Sequence, residues 1–141
     1  ISAGREINDM PSAKKKIFIV DDDESVCRAL KILLMTFDFE VKTFNSAKAF
    51  FDAVSNDDQG CLVLDIHMPG VDGWAMQKKI IDSGSKRAVI FISAEKQDNA
   101  EDRALKVGAA GFLQKPVNGQ TLVDLINLAF KNNDNQNKKS L

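Results

Sequence analysis

Four places in the chain put a chemically capable side chain at the end of an apolar run. Asp21, Asp22 and Asp23 follow Ile17-Phe18-Ile19-Val20, and Asp65 follows Cys61-Leu62-Val63-Leu64. Ser93 follows Ala88-Val89-Ile90-Phe91-Ile92, and Lys115 closes the segment opened by Ala110-Gly111-Phe112-Leu113. If a fold brings these ends together, the site holds several carboxylates, one hydroxyl and one ammonium. Carboxylates within ~4–6 Å of each other raise one another's pKa and repel unless a cation intervenes. A hard divalent cation with oxygen ligands resolves that conflict, and Mg²⁺ suits a site of few carboxylates completed by water and phosphate. Lys115 neutralises the remainder. A carboxylate, a cation, a hydroxyl and a lysine are the parts needed for phosphoryl transfer to an aspartate, with the carboxylate as nucleophile and the positive groups offsetting charge on the equatorial oxygens. Each group alone has a plainer reading. Asp21 to Glu24 could be an acidic helix N-terminus, Asp65 a turn cap, Ser93 a loop serine and Lys115 a surface lysine. The conjunction of complementary groups at four strand ends carries the signal.

The elements that must position these groups alternate between strand and helix over residues 17–131. Short runs apolar throughout, at 17–20, 61–64 and 88–92, read as strands covered on both faces, the habit of parallel sheets. Phe39 to Thr43 alternates as a half-buried edge strand does, and residues 110–113 form a short last strand. Between them, Val26, Leu30, Leu33, Leu34 and Phe37 recur at helical spacing. Asn45-Ser46 caps a helix that turns Ala47, Phe50, Phe51 and Val54 inward. Further helices are expected from about Trp74 to Ser83 and from about Lys96 to Val107, with Gly108 as C-cap. The last carries Leu122, Leu125, Ile126, Ala129 and Phe130. Five strands and five helices in strict alternation imply an α/β domain with a parallel sheet between two helical layers. In such sheets ligands bind outside the carboxyl ends of the strands, where strand order reverses. That is where the four chemical groups stand.

Composition agrees and excludes several classes. The 141 residues are 44% hydrophobic and 28% charged, which allows one well-packed domain. Lys plus Arg number 19 and Asp plus Glu 20, a net charge of −1 that argues against a dedicated nucleic-acid or anionic-membrane binder. The longest apolar runs are far below the ~20 residues of a bilayer span. Cys27 and Cys61 form no metal-binding pattern with the lone His67, and both are expected as small core residues in a reducing cytoplasm. Residues 1–16 are polar and lack a signal-peptide core. They read as a flexible segment or as a scar of expression or processing, since the chain does not begin with Met. Residues 132–141 are Asn- and Lys-rich, and a disordered tail or the start of a linker is expected from about Lys131 on.

At the level of motifs the chain resembles a response-regulator receiver domain of two-component signalling. The resemblance lies in Ile17 to Asp23, in Leu62 to Gly70 with Asp72-Gly73, in Val89 to Ala94, and in Gly108 to Pro116, and it covers residues 17 to about 131. It implies a flavodoxin-like (βα)5 fold with strand order 2-1-3-4-5. It implies Asp65 as phosphate acceptor, and a metal site of Asp21, Asp22, Asp65 and the backbone carbonyl of His67 for Mg²⁺ or Mn²⁺. Asp22 would bind the ion directly and Asp21 directly or through water. Ser93 and Lys115 would engage the phosphoryl group. Phe112 takes the place of the family's rotating aromatic and, lacking a hydroxyl, would switch by packing. The Lys115-Pro116 bond is expected to be cis. Asp23 is expected to cap a helix, and Val117 departs from the aromatic that often follows the Lys-Pro pair. The implied partners are a sensor histidine kinase or phosphotransfer protein, and a second copy on phosphorylation through the helix at 96–107. No contact with nucleic acid or membrane is expected of this domain, and the expected location is cytoplasmic.

The resemblance is to receivers that precede a helix-turn-helix output domain, which these 141 residues cannot supply. The rival enzyme reading is a haloacid-dehalogenase-type phosphatase with Asp21 as nucleophile, because Asp21-x-Asp23-x-Ser25 fits its first motif superficially. It needs a further acidic motif after Lys115, which neither Asp124 nor Asp134 supplies, and it leaves Asp65 without a purpose. Flavin binding would need a loop rich in backbone donors where this chain places carboxylates.

Overall fold

A computed structural model describes residues 14–94 and 99–139, with side chains as far as residue 133. Five strands, β1 (Lys16–Val20), β2 (Glu40–Phe44), β3 (Cys61–Asp65), β4 (Val89–Ser93) and β5 (Gly111–Gln114), alternate with five helices. The helices are α1 (Glu24–Thr36), α2 (Ala47–Ala53), α3 (Gly73–Asp82), α4 (Ala100–Lys106) and α5 (Gly119–Lys139). All strand pairs are parallel and the order is β2-β1-β3-β4-β5. This is the expected flavodoxin-like arrangement.

The period-two alternation of side chains along a strand divides the core into two layers. Ile17, Ile19, Val63, Ile90 and Ile92 face one way, against Leu30 and Leu34 of α1 and Leu122 and Ile126 of α5. Phe18, Val20, Leu62, Leu64 and Phe91 face the other, against Phe50 of α2, Met76 and Ile80 of α3 and Ala104 of α4. Burying one such Leu or Phe contributes about 1.5–3 kcal/mol, so both layers hold the three central strands, and with them the strand ends, in fixed register. Both faces of β1, β3 and β4 are covered, which is why their sequences are continuously apolar.

Several element ends differ from the sequence reading. Phe37 is the C-cap of α1 rather than part of its buried stripe, and stays 41% exposed. Phe51 points outward from α2, edge-on to Phe50 at 5.5 Å, with the Lys79 ammonium above its ring. Helix α2 is only two turns long, so one inward stripe takes Ala47 and Phe50 and leaves no room for Phe51. Strand β2 is shifted one residue, to 40–44. Helix α4 begins at Ala100, where Asn99 adopts a left-handed backbone with φ 70°. The earlier start expected at Lys96 lies outside the described residues. Gly108 follows the α4 C-cap at φ +83°, a conformation that costs glycine little. The last helix continues to Lys139, past the break expected near Lys131. Once a helix is nucleated by packed turns, each added residue gains a backbone hydrogen bond, and polar Asn, Gln and Lys side chains do not prevent this. Among the described residues no helix is long and apolar enough to cross a membrane.

Candidate functional site

The carboxyl ends of β1, β3, β4 and β5 meet along one edge of the sheet. Asp21 is the first residue beyond β1, and its N–H donates to the Phe44 carbonyl at 3.1 Å, continuing the ladder. Its side chain is fully buried, and its Oδ1 accepts the Asp23 N–H at 2.9 Å. Asp22 is exposed, at the rim of the same pocket. Asp23 caps α1 as expected: its Oδ1 accepts the Ser25 N–H at 2.9 Å and the Ser25 hydroxyl at 2.6 Å. Those hydrogen bonds from Ser25, the hydroxyl's first, hold the Asp23 carboxyl below the usual range.

Asp65 ends β3, paired in register with Ile92 of β4, and is buried. The loop after it folds back tightly. The Gly73 N–H donates to the Ile66 carbonyl at 2.8 Å, and a Cβ on Gly73 would lie 2.6 Å from the Asp65 carbonyl oxygen. Only a residue without a side chain fits there. Ser93 ends β4, wholly buried, and its carbonyl accepts the Lys115 N–H at 2.8 Å. That backbone bond, with the cis Lys115-Pro116 peptide just after it, sets where Lys115 projects. The Lys115 ammonium lies 2.7 Å from Asp21 Oδ2 and 3.6 Å from Asp65 Oδ1.

Carboxylate oxygens of Asp21, Asp22 and Asp65 lie within 4.8 Å of one another. This cluster could hold a metal ion. Its donor set is all carboxylate oxygen, which fits a hard divalent cation, and the Lys115 ammonium offsets only part of its negative charge. The crowding shows in the electrostatics. Burial, and next the Asp21 charge, push the Asp65 carboxyl up to about 7, with Lys115 and the His67 N–H opposing. Burial of the Lys115 ammonium would lower its pKa, but its contacts with Asp21 and then Asp65 outweigh this and raise it.

The structure therefore brings together Asp21, Asp22, Asp65 and Lys115, and sets Ser93 at the adjoining strand end. His67 is exposed, and its backbone N–H donates to Asp65 Oδ1 at 3.4 Å. Phe112 does not enter the carboxylate pocket. It stands opposite Phe91 in the sheet, half-buried against the second core layer. Two contributions went unforeseen. Cys27 is buried as expected, but its thiol also donates to the Asp21 carbonyl at 3.3 Å. Burial pushes its pKa up to about 11, so it stays a thiol. The close packing of Gly73 was also missed, although the Asp72-Gly73 pair marked the loop. A cleft of about 890 Å³ opens at the other end of the sheet, lined by Lys14, Lys86, Arg87 and Phe130, and holds none of these groups.

Comparison with known proteins follows the same lines. The family described as response regulator receiver domain matches residues 17–127. The transcriptional regulatory protein TdiR of Thauera aromatica is 41% identical over 127 residues, covering 87% of this chain and 56% of its own length. The chain thus spans little more than half of that relative. Among solved structures, the response regulator StyR superposes with a TM-score of 0.82 at 37% identity, over 91% of this chain and 65% of StyR. FixJ-N superposes with a TM-score of 0.72 at 30% identity, over 83% of this chain and 94% of FixJ-N.

Proposed function

The chain belongs to the response-regulator receiver family, and from that premise we propose that it is a phosphoacceptor whose Asp65 takes a phosphoryl group from a phosphohistidine. The observation that supports this reading most is the place of Asp65: the end of a central strand, within reach of two further carboxylates and an ammonium. An Asp65 oxygen attacks phosphorus as the P–N bond to the donor imidazole breaks, and that imidazole leaves with a proton from its surroundings. Lys115 offsets charge on the phosphoryl oxygens, and the Ser93 hydroxyl donates to one of them. Asp21, Asp22, Asp65 and the His67 carbonyl hold Mg²⁺ or Mn²⁺. When bound, that ion neutralises the clustered carboxylates and polarises the phosphoryl oxygens. Asp21 takes part by binding rather than attack: it is wholly enclosed, and the Lys115 ammonium lies 2.7 Å from it against 3.6 Å from Asp65. This disfavours the phosphatase reading with Asp21 as nucleophile, as does Asp124, which accepts a hydrogen bond from Gln120 on α5.

The product carries about −1.5 to −2 charge. Ser93 and Lys115, drawn to it, pull the ends of β4 and β5 inward, and repacking at Phe112 favours a second arrangement of α4. This is a population shift, limited by the differential contacts of the phosphoryl group. On this reading residues 17–131 are a cytoplasmic signalling receiver rather than a turnover enzyme. The donor is a sensor histidine kinase or phosphotransfer protein, the phosphorylated form pairs with a second copy through α4, and a longer protein carries the output. Incubation with a small acyl phosphate and Mg²⁺, followed by intact mass, tests the acceptor. The wild type gains one phosphoryl group and Asp65→Asn gains none. Equal gain by Asp65→Asn, or loss of gain in Asp21→Asn with retention in Asp65→Asn, overturns it.

A further inference from the structure

Helix α4 is held to the domain by unusually little apolar surface. It has seven residues, of which only two alanines, Ala100 and Ala104, are buried. Its first residue follows a left-handed Asn99 that makes no side-chain cap. Besides its packing on β5, a pair of contacts from α3 seats it. The Arg103 guanidinium lies over the Trp74 ring, 4.2 Å from its centroid. Trp74 rests in turn on Phe91, with centroids 4.6 Å apart, and Phe91 pairs in register with Phe112 of β5. Near the other end of α4, Gln77 Nε2 donates to the Val107 carbonyl at 3.4 Å from a buried position on α3. Helix α3 itself starts at Gly73, whose backbone is hydrogen-bonded to Ile66 and packed on Asp65. The strand end that carries Asp65 and the helix that carries Arg103 are thereby joined through one element.

We propose that Arg103 over Trp74 is a clamp that holds α4 in its resting arrangement and sets how readily the domain answers phosphorylation. The second half of the proposal rests on Asp65 being the acceptor. Drawing Ser93 inward shifts the end of β4, the strand that carries Phe91 beneath Trp74, while Arg103, in the last turn of α4, stays pinned to α3. Breaking the pin is part of the cost of the active arrangement. Arg103 is exposed, and a cation over an indole at such a site is worth roughly a twofold to fivefold bias. That size suits a device that tunes a population rather than locks it. Arg103 is a positioning residue here, since it acts on the site through Trp74 and α4.

Two variants separate charge from packing. R103M keeps an apolar stem without the cation, and R103K keeps a cation without the planar guanidinium. In the unphosphorylated protein, R103M should speed amide hydrogen exchange in α4 by roughly twofold to fivefold. Exchange in α1 and α5 should be unchanged. Emission from Trp74, the single tryptophan, should shift to the red as its ring loses cover. R103K should fall closer to the wild type in both. With a small acyl phosphate and Mg²⁺, R103M should gain its phosphoryl group roughly twofold to fivefold faster than the wild type. Unchanged α4 exchange in R103M, identical behaviour of R103K and R103M, or slower phosphoryl gain in R103M overturns the clamp. A wild type that takes no phosphoryl group overturns the acceptor assignment and the second half with it, while the exchange experiment still decides the first.

Discussion

Replacing Asp65 with asparagine should stabilise the metal-free protein, and by an amount that grows with pH. The Asp65 carboxyl is buried beside Asp21, and its pKa rises from an ordinary 3.8 to about 7. A carboxyl whose pKa is raised by folding binds more protons folded than unfolded, so its favourable contribution is complete below pH 3.8 and is lost as pH climbs to about 7. Three pH units of displacement, at ~1.4 kcal/mol each, set a ceiling of about 4 kcal/mol. Asparagine keeps the shape and never ionises. Asp65→Asn should therefore exceed the wild type by about 2–4 kcal/mol at pH 8, with the gap falling below about 2 kcal/mol at pH 5. Urea unfolding in EDTA across pH 5–8.5 measures this directly. Added Mg²⁺ should then close the gap from the other side, since an ion at a hundred times its Kd contributes about 2.7 kcal/mol to the wild type. A variant that is less stable than wild type at pH 8, or a gap that does not change with pH, refutes the account of a crowded, desolvated carboxylate.

Other substitutions probe the remaining groups. Lys115→Met removes the cation 2.7 Å from the buried Asp21, and should destabilise the metal-free protein by about 3 kcal/mol, much of it restored by Mg²⁺ in the same unfolding assay. Ser93→Ala should slow phosphoryl gain from an acyl phosphate, followed by intact mass against time, about tenfold, the worth of one hydrogen bond to a charged group. Gly73→Ala forces a methyl to 2.6 Å from the Asp65 carbonyl oxygen. It should cost about 1–3 kcal/mol in thermal unfolding and weaken Mg²⁺ binding measured by calorimetry.

The fold was legible because the three inner strands are apolar on both faces and each stops at a polar residue. Ile17 to Val20, Leu62 to Leu64 and Val89 to Ile92 could be little else, and α/β alternation then aligned their ends. Asp65 and Lys115 were legible as members of one site for the same reason. What escaped the sequence was set by contact rather than pattern. Phe51 has the same composition signal as Phe50, and only the shortness of α2 decides which faces inward. Gly73 looked like turn punctuation, while its actual constraint is the carbonyl oxygen of Asp65, at the strand end eight residues earlier. The left-handed backbone at Asn99 also escaped, because polar helical sequence carries no sign of it. Arg103 and Trp74, 29 positions apart, had no shared motif that could have paired them.

The central claim is that Asp65, and no neighbouring carboxylate, accepts the phosphoryl group. An acyl phosphate on an aspartate is reduced by borohydride to homoserine, which marks its position permanently. The protein is incubated with a small acyl phosphate and Mg²⁺, treated with borohydride, digested and mapped by peptide mass. The account predicts homoserine at position 65 alone, and none when EDTA replaces Mg²⁺. Homoserine at position 21 or 22, or none anywhere with Mg²⁺ present, would contradict it.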